Sequence, residues 1–245
     1  MKKDTVYLDP LPQDEVEESH RFAVMGGKGG TSKTTTSFNT GLYLVRDGQS
    51  CLEIDMDTQC NLTQRTGIPD GDFEENRLSE LFLSMRSPVY MAQRKRLPIL
   101  VKLPYLFKLP ESEKKVGKLA ILPGSPNSLL DARSAYGKSI DASGTPRMYE
   151  IFDDTLTEYQ KHYGNIVMDL GPNLNGNELA MLAVRSSDVI ICPIDSIYAA
   201  YGIKQLLQFI GEQVQLKERC VYPKVLFVMT KYHPNMKTVE KIEEE

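Results

Sequence analysis

Two lysines, Lys28 and Lys33, sit in a run that also contains Gly26, Gly27, Gly29 and Gly30 and the hydroxyls of Thr31, Ser32, Thr34 and Thr35. Glycines, ammonium groups and hydroxyls packed this closely suit the binding of phosphate oxygens. Successive backbone N–H groups in a glycine-rich turn point inward, and a following helix N-terminus adds partial positive charge. Glycines let the backbone approach a ligand closely and adopt positive φ. A lysine followed by a hydroxyl residue completes the arrangement, the ammonium at the β- and γ-phosphates and the hydroxyl on Mg2+. Lys33 and Thr34 fill those places, and Thr35 reaches the α-phosphate. Gly27, Lys28, Gly29, Gly30, Thr31 and Ser32 form the cradle.

Such a loop works only between a buried strand and a helix. Arg21-Phe22-Ala23-Val24-Met25 reads as the strand. Lys33 to Val45 reads as the helix, with Phe38, Leu42 and Val45 at helical spacing toward a sheet, and Asp47-Gly48 ends it. Further strands are expected at Cys51–Asp57, Lys118–Leu122, Asn165–Leu170, Val189–Ile194 and Val225–Thr230. Helices are expected at Leu78–Met85, from Ser125, at Met148–Tyr163, at Glu178–Arg185 and at Tyr201–Gln213. Six strands alternating with helices predict an α/β fold, a P-loop NTPase with a mostly parallel central sheet and helices on both faces. Two strands end in carboxylates, Asp55 and Asp57 on one and Asp169 on the other. Open α/β sheets place their ligands at that end of the strands. Asp169 fits the position that holds a water of the nucleotide's magnesium ion.

The 245 residues suffice for one large domain, and 41% hydrophobic with 25% charged content is ordinary for a globular chain. A net charge of −4 makes nucleic-acid binding a matter of a local patch. No apolar run approaches the length of a membrane span, and no secretory signal is visible at the start. Cysteines 51, 60, 192 and 220 form no C-x-x-C pair, which points to reduced thiols rather than a zinc or iron–sulfur site. Residues 1–20 read as an acidic arm. Residues 86–118 carry nine basic and two acidic side chains, a net of +7, with four prolines that argue against a long helix. This basic excursion is either a solvated surface loop or a patch for nucleic-acid phosphates, with Tyr90, Tyr105 and Phe107 interleaved.

The phosphate loop departs from the common pattern. Ser32 stands where the last glycine is usual, and Lys28 is an additional lysine at the start. The form K-G-G-x-x-K-[ST]-T resembles the deviant Walker A motif of the ParA/MinD family of ATPases. Asp57-Thr58-Gln59-Cys60-Asn61-Leu62-Thr63 resembles that family's D-x-D-P-Q-x-N-x-T segment, with Thr58 in place of proline. Asp169-Leu170-Gly171-Pro172 is similar to its Asp-x-x-Pro segment, and Val228–Asn235 to the strand that leads into its adenine pocket. The resemblance covers about residues 21 to 240.

The resemblance implies a site. Lys28 reaches across a dimer interface to the partner's nucleotide, Asp57 polarises the attacking water, and Tyr232 and His233 border the adenine. Asp55, nearer the strand interior, braces the loop. Thr34, Asp57 and Asp169 serve Mg2+. The cofactors are therefore ATP and Mg2+, and the activity a Mg-dependent hydrolysis slow enough to act as a switch.

Most similar is a ParA-type partition ATPase. This implies a homodimer on ATP binding, non-specific binding of DNA, a ParB-like adaptor that resets the switch, and a cytoplasmic, nucleoid-associated location. A MinD-like membrane-bound positioning ATPase is the alternative. It needs a basic amphipathic C-terminal helix, and Lys237–Glu245 is short and acidic. A third reading is a weakly hydrolysing nucleotide-dependent scaffold. Relatives continue with another strand and helix, so the C-terminal end is expected to be truncated.

Overall fold

The computed structural model describes residues 18–68, 77–84, 99–100, 117–138, 147–174, 176–195, 202–215 and 222–231. The acidic arm lies almost wholly outside these residues. So do most of the basic excursion, Tyr232, His233 and the C-terminal stretch.

The described elements run β1 (Arg21–Val24), α1 (Lys33–Arg46), β2 (Cys51–Met56), α2 (Asn61–Arg65), α3 (Leu78–Ser84), β3 (Ile99–Leu100), β4 (Leu119–Leu122), α4 (Ser128–Lys138), α5 (Arg147–Tyr163), β5 (Asn165–Leu170), α6 (Glu178–Ser186), β6 (Val189–Ile194), α7 (Ile203–Gln215) and β7 (Lys224–Met229). All six expected strands form. They make one sheet in the order β3-β4-β2-β5-β1-β6-β7, parallel throughout except for the two-residue β3, which pairs antiparallel with β4. Sequence patterning misses β3 because two residues carry no period.

Parallel strands are buried on both faces, so they read as continuous apolar runs rather than alternating ones. β2, β5 and β6 are buried at every position. One face packs Leu52, Ile54, Ile166 and Met168 against α3–α7, with Phe152, Leu156, Tyr159 and Tyr163 of α5 fully buried or nearly so. The opposite face packs Val24, Ile121 and Val167 against Phe38, Leu42 and Val45 of α1. These are the three α1 residues whose spacing pointed to the sheet. Coverage thins at the edge, where Leu226, Phe227 and Val228 of β7 are exposed.

Register fixes the site. Asp169 pairs with Val24 on one side and Asp55 on the other, one strand end beside the next. The loop after β1, the carboxylates after β2 and Asp169 at the end of β5 therefore meet at the C-terminal edge of the sheet.

One buried group sits away from that edge. Glu53, in the middle of β2, is 0% exposed, and neither carboxyl oxygen has a hydrogen-bond partner among the described residues. Its carboxyl lies against Gly41 of α1, and a Cβ there would fall 2.3 Å from Oε1. Glycine at 41 is thus a matter of space. Burial, with Asp169 and Asp55 nearby, holds the Glu53 carboxyl well above its ordinary value of 4.5. The fold favours its protonated form, whereas in the unfolded chain it ionises above that ordinary value. The folded state binds the extra proton, so its contribution to stability is present in acid and is lost as pH rises above about 4.5. Glu53→Met should raise stability at pH 8 by about 1 kcal/mol and flatten part of the slope between pH 5 and pH 8. Urea midpoints across that range test it; a variant less stable than wild type at pH 8 would contradict the reading.

Candidate functional site

The loop from Met25 to Ser32 leaves the buried end of β1 and enters α1 directly. Its turn needs positive φ at Gly30 (81°) and again at Ser32 (67°). The second angle explains why glycine is usual there. Serine pays a left-handed penalty of roughly 1 kcal/mol, and its side chain makes no capping hydrogen bond to α1.

Lys33 is 7% exposed, and its Nζ donates to the Lys28 carbonyl at 2.8 Å. Burial pulls its ammonium below the ordinary value, while the carboxylates of Asp169 and Asp57 act in the opposite direction. Lys28 itself is exposed at the mouth of the loop. The two lysines thus differ in surroundings as well as position: one is turned into the fold, the other lies at its surface.

Three carboxylates gather behind the loop. Asp169 is fully buried; its Oδ1 accepts from the Ser37 hydroxyl at 2.7 Å, and its Oδ2 has no partner among the described residues. Burial pushes its pKa up to about 6, against the Ser37 and Thr34 hydroxyls, which favour the charged form. Asp55 accepts from the Thr63 hydroxyl at 2.6 Å, from Thr63 N–H at 2.8 Å and from Asp57 N–H at 3.2 Å. Burial still raises it to about 7. Thr63 Oγ1 in turn accepts from Gly124 N–H at 2.8 Å. Asp55 has no oxygen turned to a ligand, so it braces the β2 and β4 ends, as its place in the strand suggested.

Asp57 sits differently. It is 8% exposed, its Oδ1 accepts from Gln59 N–H at 3.0 Å in a local turn, and it lines two cavities at once. One, of about 670 Å³, is bordered by Gly29, Gly30, Ser32, Lys33, Thr34, Thr35, Gln59, Asn61, Gln64 and Arg65. The other, of about 440 Å³, opens beside Gly27, Thr58, Arg133, Asn173 and Leu174. Pro172 belongs to both. The first is large enough for a nucleoside triphosphate and is walled by Gly29, Gly30 and Ser32 of the predicted cradle with Lys33, Thr34 and Thr35; Gly27 borders the second cavity, and Lys28 and the buried Thr31 line neither.

The oxygen chemistry fits magnesium. The ion prefers oxygen ligands, keeps several waters and leans on substrate phosphates, so it needs few protein groups. Among the described residues no cluster of three or more His, Cys, Asp or Glu is arranged for a metal. The Thr34 hydroxyl, Asp57 and the partnerless Oδ2 of Asp169 are the oxygens that could serve it or its waters.

Two features of the site escaped the sequence reading. Arg65 donates to the Thr35 hydroxyl at 3.0 Å from a short helix thirty residues on. At the far end of the sheet, Lys231 Nζ donates to the Gly30 carbonyl at 2.7 Å and to Asp195 Oδ2 at 3.0 Å, while the Thr230 hydroxyl donates to the Thr31 carbonyl at 3.2 Å. The end of β7 thereby grips the phosphate loop from outside.

A family model described as an AAA domain matches residues 19–221, most of the chain. The chain belongs to this family and is a ParA/MinD-type ATPase domain. It is 25% identical over 194 residues to the chromosome-partitioning ATPase Soj of Thermus thermophilus, covering 78% of this chain and 61% of that protein. It is 25% identical over 187 residues to the sporulation initiation inhibitor protein Soj of Bacillus subtilis, covering 76% and 62%. The ParA/MinD-type chain thus aligns with less than two thirds of either relative. Among solved structures, a cobyrinic acid a,c-diamide synthase from Mycobacterium smegmatis with bound ADP and magnesium superposes with a TM-score of 0.66 at 19% identity, over 92% of this chain and 80% of the other. A plasmid partition protein from Borrelia burgdorferi bound to AMPPNP superposes with a TM-score of 0.63 at 16% identity, over 92% and 81%. At these identities the two structures establish the shared fold. No helix among the described residues is long and apolar enough to cross a membrane.

Proposed function

We propose that the protein is a ParA-type switch that binds ATP with Mg2+, closes into a homodimer, binds DNA without sequence preference and is reset by a ParB-like adaptor, in partition of plasmid or chromosomal DNA. The observation that carries this reading is the pair of lysines on one loop, Lys33 buried toward the phosphate cavity and Lys28 exposed at its mouth. A loop built for one nucleotide alone has no use for the second. The relatives named for partition and the K-G-G-x-x-K-T-T form support it.

In this reading Lys33 binds the β- and γ-phosphates, and Thr34 and Thr35 hold the magnesium side and the α-phosphate. The ion, when bound, neutralises charge developing on the phosphates. Asp57 orients the attacking water, and Asp169 holds a water of the ion through Oδ2, which has no partner among the described residues. Lys28 clamps the nucleotide of a second copy. The cavity beside Gly27 and Asp57 gives that copy room to approach the reacting end. Tyr232 and His233 border the base. The basic excursion supplies DNA phosphate contacts.

The test is assembly state. With ATP and Mg2+, wild type should dimerise, and Lys28→Ala should bind ATP with unchanged affinity but remain monomeric in light scattering. A Lys28→Ala protein that dimerises as wild type removes the clamp. A wild type that stays monomeric with ATP, with or without DNA, favours the weakly hydrolysing scaffold.

A further inference from the structure

We propose that Arg65 is a nucleotide-binding residue of this site, holding the α-phosphate through and beside Thr35. The inference rests on the nucleotide reading above. α2 ends at Arg65, and Gln59, Asn61 and Gln64 from the same segment line the phosphate cavity with it. The Arg65 guanidinium donates to Thr35 Oγ1 at 3.0 Å, and no carboxylate pairs with it among the described residues. A guanidinium stays charged at any working pH and carries five donors in a fixed fork. One donor is spent on Thr35, and the others remain beside a cavity that also holds the Lys33 and Thr34 side chains.

The bond also orients the threonine. Arg65 donates to the Thr35 oxygen, so the hydroxyl proton must point elsewhere, and the cavity is the open direction. Arg65 and Thr35 thus present two donors on one wall at the α1 end of the cradle. With Lys33 at the β- and γ-phosphates, a triphosphate laid in this cavity has its γ-phosphate toward Asp57. Its α-phosphate then lies at Thr35. The α-phosphate is common to ATP and ADP, so Arg65 holds substrate and product alike and takes no part in the hydrolytic step.

Titration of ATP and of ADP into wild type, Arg65→Ala and Arg65→Lys, with Mg2+ in excess, tests this. Arg65→Ala should weaken both nucleotides by about tenfold, because a charge-assisted contact at a half-open site is lost. Arg65→Lys should recover part of the affinity, since the charge returns without the fork. Arg65 is exposed with one side-chain hydrogen bond among the described residues, and unchanged melting curves will separate lost binding from lost folding. Unchanged affinity for both nucleotides overturns the inference. Weakening confined to ATP also overturns it, by placing Arg65 at the γ-phosphate. A wild type that binds neither nucleotide sinks the nucleotide site as a whole, a result distinct from the other two.

Discussion

Lys33→Ala is expected to abolish ATP binding. The side chain is nearly buried, feels the charge of Asp169 and Asp57, and donates its ammonium to the Lys28 carbonyl. Truncating a charged partner of a desolvated contact costs about 2–5 kcal/mol. At the middle of that range affinity falls by several hundredfold. The fold should tolerate the change, because removing an ammonium held in partly desolvated surroundings relieves a cost as well as a bond. Calorimetric titration with ATP, alongside a circular dichroism spectrum, reads both. Affinity within threefold of wild type would contradict the assignment of the loop.

Asp57→Ala should separate binding from turnover. The residue touches both cavities and contributes one local hydrogen bond, to Gln59 N–H, so ATP affinity and stability should change little. A carboxylate that orients a water contributes about 100-fold to 10,000-fold in rate. The expected result is turnover reduced by about 100-fold or more, with ATP-driven dimers that persist through a sizing column. Dimers that decay at the wild-type rate would remove Asp57 from hydrolysis and leave it a turn residue. Asp55→Ala makes a useful contrast. Asp55 holds Thr63, which in turn holds Gly124 N–H, and a Cβ at Gly124 would fall 2.9 Å from its Cγ. Losing Asp55 disturbs packing between strand ends rather than a reacting group.

Much of this was legible in the chain itself. The strand–loop–helix around Lys33 follows from glycine spacing and apolar runs, and the register of β1, β2 and β5 then forces Asp55, Asp57 and Asp169 together. The deeper burial of Asp55 relative to Asp57 was readable from their places in the strand. Glu53 was not. A charged residue in β2 reads as a solvent-facing position, but a strand buried on both faces has none, and only the fold shows that its carboxyl lies under Gly41. Arg65 was missed because a five-residue helix has too little period to aim a side chain, and its partner Thr35 lies on another element. The grip of Lys231 on Gly30 spans 201 positions and depends on a left-handed backbone at Lys231, which no local pattern announces.

That grip has a mechanical side. The outermost strand of the sheet, with Leu226, Phe227 and Val228 open to solvent, ends two residues before a lysine hooked onto the turn that cradles the phosphates. Two hydrogen bonds, from the Lys231 ammonium to the Gly30 carbonyl and from the Thr230 hydroxyl to the Thr31 carbonyl, thus moor the rim of the sheet to the cradle.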